Sequence, residues 1–442
     1  MTETFSTATE RKEDRRQLAE ARRKGLKRRH AAERRFRLYG VLAISAGIFF
    51  LAALLFSVIG KGYTAFQQTT ITLPITFDAA VIDPEGARED DSRLLLTADY
   101  PELVEAALAE TLEISPANGP EMRAAMRMIS RSSRVELRDV VLKDPSVIGE
   151  TVNVRLLASA DIDSAYKGQI DLSVPETSRR VSDRQLEWMD RLEALGLMEK
   201  SFNTGFFTHG ASSRPESAGI GVAFVGTLYM MGVVLLLALP IGVASAIYLE
   251  EFAPKNRFTD IIEININNLA AVPSIIFGLL GLAVFIGLLG LPRSASLVGG
   301  LVLTLMTLPT IIIATRAALQ AVPASIRSAA LGVGASKMQA VFHHVLPQAM
   351  PGILTGTIIG LAQALGETAP LLLIGMVAFV ADYPASPLDP ATALPVQIYM
   401  WAGEAERAFV ERTSAAIIVL LAFLILMNIS AVILRRRFER RR

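Results

Sequence analysis

Gly352-Ile-Leu-Thr-Gly356-Thr-Ile-Ile-Gly360-Leu-Ala-Gln363-Ala-Leu-Gly-Glu367-Thr368-Ala-Pro370 lies in an apolar run, Pro351–Val380, whose one charged residue is Glu367. About 20 apolar residues cross the hydrocarbon core of a bilayer as a helix, so the run reads as a transmembrane span. Gly352, Gly356, Gly360 and Ala364 recur every four residues. At about 100° per residue they form one slowly drifting stripe, and small residues at that spacing let another helix approach closely. Gln363 and Glu367 share a face, one turn apart. A carboxylate inside a span is costly and faces a partner or a cavity. Glu367 is therefore expected to point into a helix bundle, with Gln363 and Thr368 beside it. A purely structural role is the alternative, with Glu367 bonded to backbone or to Thr368 near a kink at Pro370.

Five further apolar segments flank this one: Leu38–Ile59, Val222–Leu249, Ile261–Leu288, Ser296–Ala314 and Ala415–Leu434. Hydrophobic residues make up 51% of the 442, and they are gathered into these runs. Pro240, Pro273, Pro309 and Pro370 predict kinked helices, which spans lining a pathway tolerate. The first run is too long for the core of a cleaved leader and lacks a small-residue cleavage site, so it reads as an uncleaved anchor.

Between the first two runs the composition turns soluble. Thr70–Phe77 alternates with period two and predicts a strand, with Pro74 pointing to a sheet edge. Arg134–Arg138 and Thr151–Arg155 alternate likewise. Pro101–Leu112 and Glu121–Ile129 read as helices, and Ser182 with Gln185 forms a capping box for a helix to about Leu195. The fold class that follows is an all-α polytopic membrane protein with six transmembrane helices and an inserted α/β domain.

Charge placement orients it. The segment Arg11–Arg37, the loops Lys255–Arg257 and Arg316–Lys337, and the tail Arg435–Arg442 are basic, and Lys and Arg mark the cytoplasmic side. Only Arg293, Arg407 and Arg412 run against that bias. The expected organisation is a basic cytoplasmic arm (1–37), an anchor (38–59), a periplasmic α/β domain (60–218), five spans (219–434) with a cytoplasmic loop at 317–350, and a basic cytoplasmic tail (435–442). That topology suits a bacterial inner membrane, with membrane lipid as the surrounding solvent. Glu10, Glu13, Asp14, Glu20 and Glu33 interleave with the basic residues of the arm, so it reads as a topology signal and no nucleic-acid partner is expected.

Several chemistries are excluded. With 0 cysteines there is no disulfide, thiol nucleophile or cysteine metal site, and 4 histidines leave little for zinc. No Gly-x-x-x-x-Gly-Lys-Ser/Thr loop is present, so energy from ATP would come from another chain. No metal, cofactor or catalytic constellation is expected. Arg316 and Arg327 read as inside charges rather than phosphate ligands, while Glu263, Asn265, Asn267 and Asn268 fit an interfacial start to a span. His343-His344 reads as loop surface.

The segment from Ala317 to Pro347 predicts a short amphipathic helix, a glycine turn at Gly332/Gly334 and a second helix stopped by Leu346-Pro347. A helix pair projecting from a bundle fits a groove on a partner. Ser328-Ala329-Ala330, then Gly334, then Leu346-Pro347 resembles the "EAA" coupling loop of ABC importer permeases, with Ser328 in place of the usual Glu and His344 where Ile is typical. Gly366-Glu-Thr-Ala-Pro370 resembles the PstA-type permeases of phosphate importers. So do Asn268-Leu-Ala-Ala-Val-Pro-Ser-Ile-Ile-Phe-Gly278, Leu239-Pro-Ile-Gly-Val-Ala244 and Leu394-Pro-Val-Gln-Ile-Tyr399. The resemblance covers Gly219 to the C-terminus. It implies a type I, MetI-like permease core built from the last five spans, forming half of a phosphate pathway. Its implied partners are a homologous second permease subunit, an ATP-binding cassette ATPase dimer docked on the loop, and a periplasmic phosphate-binding protein, with inorganic phosphate as cargo. In that family Arg often occupies the position of Gln363, so an Arg–Glu pair within the helix is absent here. Another oxyanion, phosphonate or sulfate, is the nearest alternative cargo, and a membrane-anchored receptor is the alternative of a different class.

Overall fold

A computed structural model describes residues 3–84, 86, 93–115, 117–377 and 379–439. The ends of the basic arm (1–2) and basic tail (440–442) lie outside the described residues. The chain divides into two units, residues 1–60 and 61–442. The first is almost entirely α1 (Glu3–Gly62), whose apolar half belongs to a candidate span, Ala32–Phe66.

The second unit opens with β1 (Gln67–Thr76), followed by α2 (Tyr100–Leu112), α3 (Gly119–Met126), α4 (Ser133–Lys143), β2 (Thr151–Leu157), α5 (Ala160–Tyr166), α6 (Asp183–Ala194), β3 (Met198–Phe202) and α7 (Thr204–Thr208). Three antiparallel strands pair in the order β2-β1-β3. Ile71, Leu73, Ile75 and Phe77 alternate onto one face and are fully buried, with Leu103, Val104 and Leu108 of α2 in the same core. Burying each such side chain contributes about 2 kcal/mol.

β1 is thus the central strand, not an edge. Pro74 survives there because the Thr72 N–H bonds Leu197 on the β3 side, and Pro74 points the same way, beyond the last β3 pairing at Ile71. No ladder donor is lost. Arg134–Arg138 is helical, within α4: Leu137 and Val141, one turn apart, are buried while Val135 is 45% exposed. The alternation spans only five residues, and the helical spacing of Leu137 and Val141 across the 11-residue helix overrides it. The capping box at Ser182 and Gln185 forms as expected and starts α6.

The helices of the apolar region follow, short ones between the long: α8 (Gly221–Phe252), α9 (Arg257–Ala270) with α10 (Ser274–Leu288), α11 (Ser296–Gln320), α12 (Ala324–Gly332), α13 (Lys337–Gly366), α14 (Ala369–Leu373), α15 (Leu394–Ala402) and α16 (Ala408–Glu439). Among the described residues, five helices, α1 included, are long and apolar enough to cross a membrane, and the α9–α10 pair makes a sixth if it counts as one bent span. The run Ile261–Leu288 is not straight: α9 and α10 meet at 100°. Pro273 lacks the N–H for a helical bond and its ring disfavours the helical region for the residue before it, and Pro273 itself is extended (φ −56°, ψ 136°). Pro351–Val380 is likewise not one helix. α13 begins at Lys337 and ends at Gly366, and a turn replaces the helix after Leu373.

Candidate functional site

Pro370 ends α13. It has no N–H to give the Gly366 carbonyl, so the chain leaves the helix at Glu367 (φ −82°, ψ 128°) and restarts as α14 with Thr368 at its cap. Gln363 lies in the last turn of α13 and Glu367 is its C-cap. Gln363 is exposed, and Glu367 and Thr368 are half-buried. Glu367 is thus neither fully buried nor open in this chain. Its carboxylate has no hydrogen bond or ion pair among the described residues, to Thr368 or to any cation.

The break is braced from behind. A Cβ on Gly278 of α10 would lie 2.7 Å from Pro370 Cα and 3.0 Å from its carbonyl oxygen, and one on Gly281 would lie 2.3 Å from Val302 of α11. The Asn268–Gly278 string thus ends against the Gly366–Pro370 string. Gly242, in the Leu239–Ala244 string of α8, faces Ile311 of α11 at 2.7 Å by the same measure. Gln397, in the fourth string, is buried in α15. The stripe on α13 faces α11: Cβ atoms on Gly352 and Gly356 would meet Ala318 and Ala314 Cβ at 2.6 and 2.2 Å, and one on Gly360 would reach Ile311 at 3.5 Å.

At the far end of α8 the loop projects. α12 carries Ser328, Ala329 and Ala330, Gly334 turns the chain at φ +88°, where a side chain would be strained, and Ser336 and Gln339 cap the start of α13. Leu346-Pro347 does not stop the second helix. A widened turn over Ala340–Val345 precedes Pro347 and lets the helix run on into the bundle. His343 and His344 are exposed on that turn, and so are Leu331, Val333, Met338 and Phe342, with Val333 at 86%.

The cations read as topology signals have partners. Arg316 Nη2 donates to Glu263 at 2.7 Å and lies 3.4 Å from Glu250. Arg327 Nη2 donates to Glu251 at 2.6 Å and also to the Leu319 carbonyl at 2.8 Å. These pairs fasten α11 and α12 to the end of α8 and to α9.

A second charged cluster escaped sequence reasoning. Lys167 Nζ lies 2.7 Å from Asp163 and 3.1 Å from Glu411, with its side chain 1% exposed. Arg412, next along α16, is 2% exposed and donates to the Ala65 carbonyl at 3.2 Å, with its guanidinium over the Phe206 ring. Nearby, burial pushes the Glu136 carboxyl above the usual range, aided by Glu216 and opposed by Ser132, Leu157 and His209. Glu406 is raised first by burial, then by Glu216 and Asp161. The available signals were the Asp163/Lys167 spacing of four and the misfit of Arg412 with the positive-inside pattern.

The geometry defines a polytopic helical membrane protein with a broken span, a projecting helix pair and a soluble α/β insert. Residues 238–442 match the binding-protein-dependent transport system inner membrane component family, and residues 23–176 match a domain of unknown function, DUF3333. The phosphate transport system permease protein PstA 1 of Mycobacterium tuberculosis is 32% identical over 242 residues, covering 54% of this chain and 79% of that protein. The probable ABC transporter permease protein YqgI of Bacillus subtilis is 33% identical over 178 residues, covering 40% of this chain and 59% of YqgI. The chain belongs to the binding-protein-dependent transport system inner membrane component family. Among solved structures, the inward-facing MetNI methionine ABC transporter is similar at a TM-score of 0.40 and 19% identity, over 48% of this chain and 93% of that one.

Proposed function

We propose that this chain is the permease subunit of an ATP-driven phosphate importer, set in a bacterial inner membrane with both termini in the cytoplasm. Phosphate enters through the relatives: PstA proteins from several organisms are 31–32% identical to this chain over 196 to 242 residues. The observation that carries the reading is Glu367, unpaired and half-buried at a helix break braced by α10.

A lone carboxylate repels phosphate, so it does not act as the phosphate ligand by itself. Its fit is to a cation brought by a homologous second permease across the face that carries Gln363. Such a carboxylate would hold an Arg or Lys ready for the oxyanion, and Arg binds carboxylate and phosphate through the same forked geometry. Thr368 adds a hydroxyl beside it. At the other end, Ser328, Ala329, Ala330, Gly334, Leu346 and Pro347 belong to the helix pair that we assign to docking on the ATPase dimer. Exposed Leu331, Val333, Met338 and Phe342 supply the apolar contact that a helix-in-groove interface requires. A periplasmic phosphate-binding protein would deliver cargo at the α/β end.

Phosphate uptake in cells lacking their own permease tests this, with the chain and its partner subunits supplied together. Glu367→Gln is expected to assemble at wild-type level and lose uptake, because the isosteric amide cannot anchor a cation. Uptake retained by Glu367→Gln refutes the role of Glu367. Sulfate or phosphonate entering in place of phosphate refutes the cargo.

A further inference from the structure

Four charged side chains are withdrawn from water where the α/β domain meets the last span. Asp163 and Lys167 come from α5 and its C-terminal cap, and Glu411 and Arg412 from the first turns of α16. The set is balanced, two cations against two anions. Asp163 accepts both the Lys167 ammonium at 2.7 Å and the buried Thr69 N–H of β1 at 2.8 Å. Lys167 reaches on to Glu411 at 3.1 Å. The Ala65 carbonyl accepts from Arg412 at 3.2 Å and from Asn203 Nδ2 at 3.0 Å.

Buried charges are a poor way to gain stability, since desolvation offsets most of the attraction, but they tolerate little misplacement. Glu411 and Arg412 are consecutive on a helix and so point about 100° apart. One engages α5 and the other engages the strand-entry segment at Ala65. Together they fix the rotation and the depth of α16, because a slip of one residue unpairs both. Gly62 closes the same joint: a Cβ there would meet the Ala415 nitrogen at 2.7 Å.

We propose that Asp163, Lys167, Glu411 and Arg412 form an internal lock that makes the α/β domain and the last span one moving part. The domain is then a rigid arm of the permease and not a tethered receptor. A second attachment gives the arm leverage. Tyr383 Oη donates to the Thr208 carbonyl at 2.7 Å, the Ala211 N–H donates to Val380 at 3.1 Å, and a Cβ on Gly210 would strike the Ala381 carbonyl oxygen at 2.2 Å. The segment holding Val380–Tyr383 follows α14, and α16 packs on α13. The arm therefore grips an element on each side of the Glu367 break. A load placed on it by a docked protein reaches that break without passing through the loop end.

The absence of cysteine makes the test clean. Spin labels at Lys143→Cys on the domain and Leu426→Cys on α16, in the full chain in lipid discs, report how rigidly the two parts are joined. The wild-type background is expected to give one narrow distance distribution. Lys167→Met broadens it and lowers uptake in the assembled transporter at least about tenfold, as breaking a buried pair should. Arg155→Met, which removes an exposed pair with Glu199 (side chains 60% and 52% exposed), is expected to change neither. If Lys167→Met does not assemble, Glu411→Gln keeps an oxygen for the Lys167 ammonium and is expected to broaden the distribution partway. A narrow distribution in both variants overturns the lock. Broadening with full uptake overturns its role in transport. The uptake arm rests on the phosphate reading: a wild-type chain that moves no phosphate defeats that reading, while the label distances still decide the lock.

Discussion

At the end of the bundle that carries the α/β domain, Lys167 and Glu411 keep 1% and 7% of their side-chain surface. At the loop end, Arg316 and Arg327 keep 19% and 26% while making contacts just as short. Both sets join elements distant in sequence. The buried set tolerates neither water nor misplacement, so it suits a joint that stays closed. At the loop end the arginines and Glu263 stay partly exposed, although Glu251 keeps only 8% of its side-chain surface. The Arg316 pairs can therefore exchange with water at modest cost, which suits a joint that opens and closes as a partner binds. The same chemistry, at two depths, gives one rigid end and one adjustable end.

Removing one partner at each end is the sharpest way to break that contrast. Lys167→Met leaves Asp163 and Glu411 buried with one cation fewer and should cost about 3–5 kcal/mol. It should appear as early loss of monodisperse protein on heating in detergent. Gly356→Leu strikes between the two ends. Its side chain would begin 2.2 Å from Ala314 Cβ, and overpacking of this kind costs about 1–3 kcal/mol. Thermal stability should fall, and crosslinking between cysteines placed on α11 and α13 should weaken. Arg327→Met strands Glu251, whose side chain is 8% exposed, and should cost about 1–3 kcal/mol. We expect uptake to fall further than stability, because α12 loses its seat on the end of α8. An equal loss of thermal stability for Arg327→Met and Lys167→Met would erase the contrast.

The two regions also differed in how far the sequence disclosed them. Apolar runs locate the spans because the bilayer acts on composition, and Thr70–Phe77 showed its period plainly. Direction within a run is another matter. Hydropathy does not register the 100° bend at Pro273 or the exit at Gly366, although prolines mark both sites. β3 went unread because Met198-Glu-Lys-Ser-Phe202 is short and charged, and only Met198 is buried. At the loop end, the glycine turn and its flanking helices were legible since each is a local preference. The partners of Arg316 and Arg327 were not, because Glu250, Glu251 and Glu263 lie more than 50 positions earlier. The buried four were hidden further still, with 244 residues separating Lys167 from Glu411. Arg412 had declared itself only as a cation that runs against the expected positive-inside bias. Its burial against Ala65 and Phe206 explains the exception: it is a structural charge, taken out of the topology rule by its partners.

The smallest effect concerns pH, and it isolates the α/β end. Glu136 and Glu406 both have pKa values raised above the ordinary carboxylate, chiefly by burial, with Glu216 facing each. Between the ordinary glutamate value of about 4.3 and the raised values, the folded chain binds more protons than the unfolded one. Their contribution is fully present below that ordinary value and is lost as pH rises through the raised ones. Asp144 and Asp171 act in a separate, more acidic window: hydrogen bonds from Ser146 and Ser173 lower their pKa values, so their contribution is lost only as pH falls through those depressed values. Melting temperature should therefore climb slightly as pH is lowered from neutrality toward the ordinary glutamate value of about 4.3. Glu136→Gln should flatten part of that slope while leaving the chain folded, since the amide oxygen can still accept from the Leu157 N–H and the amide N–H can donate to Ser132 Oγ, whose own hydroxyl donates to Ser130. Arg327→Met, at the other end, should leave the slope unchanged. A slope that moves with Arg327 and not with Glu136 would mean that proton-linked stability resides at the loop, and the assignment of a rigid and an adjustable end would have to be reversed.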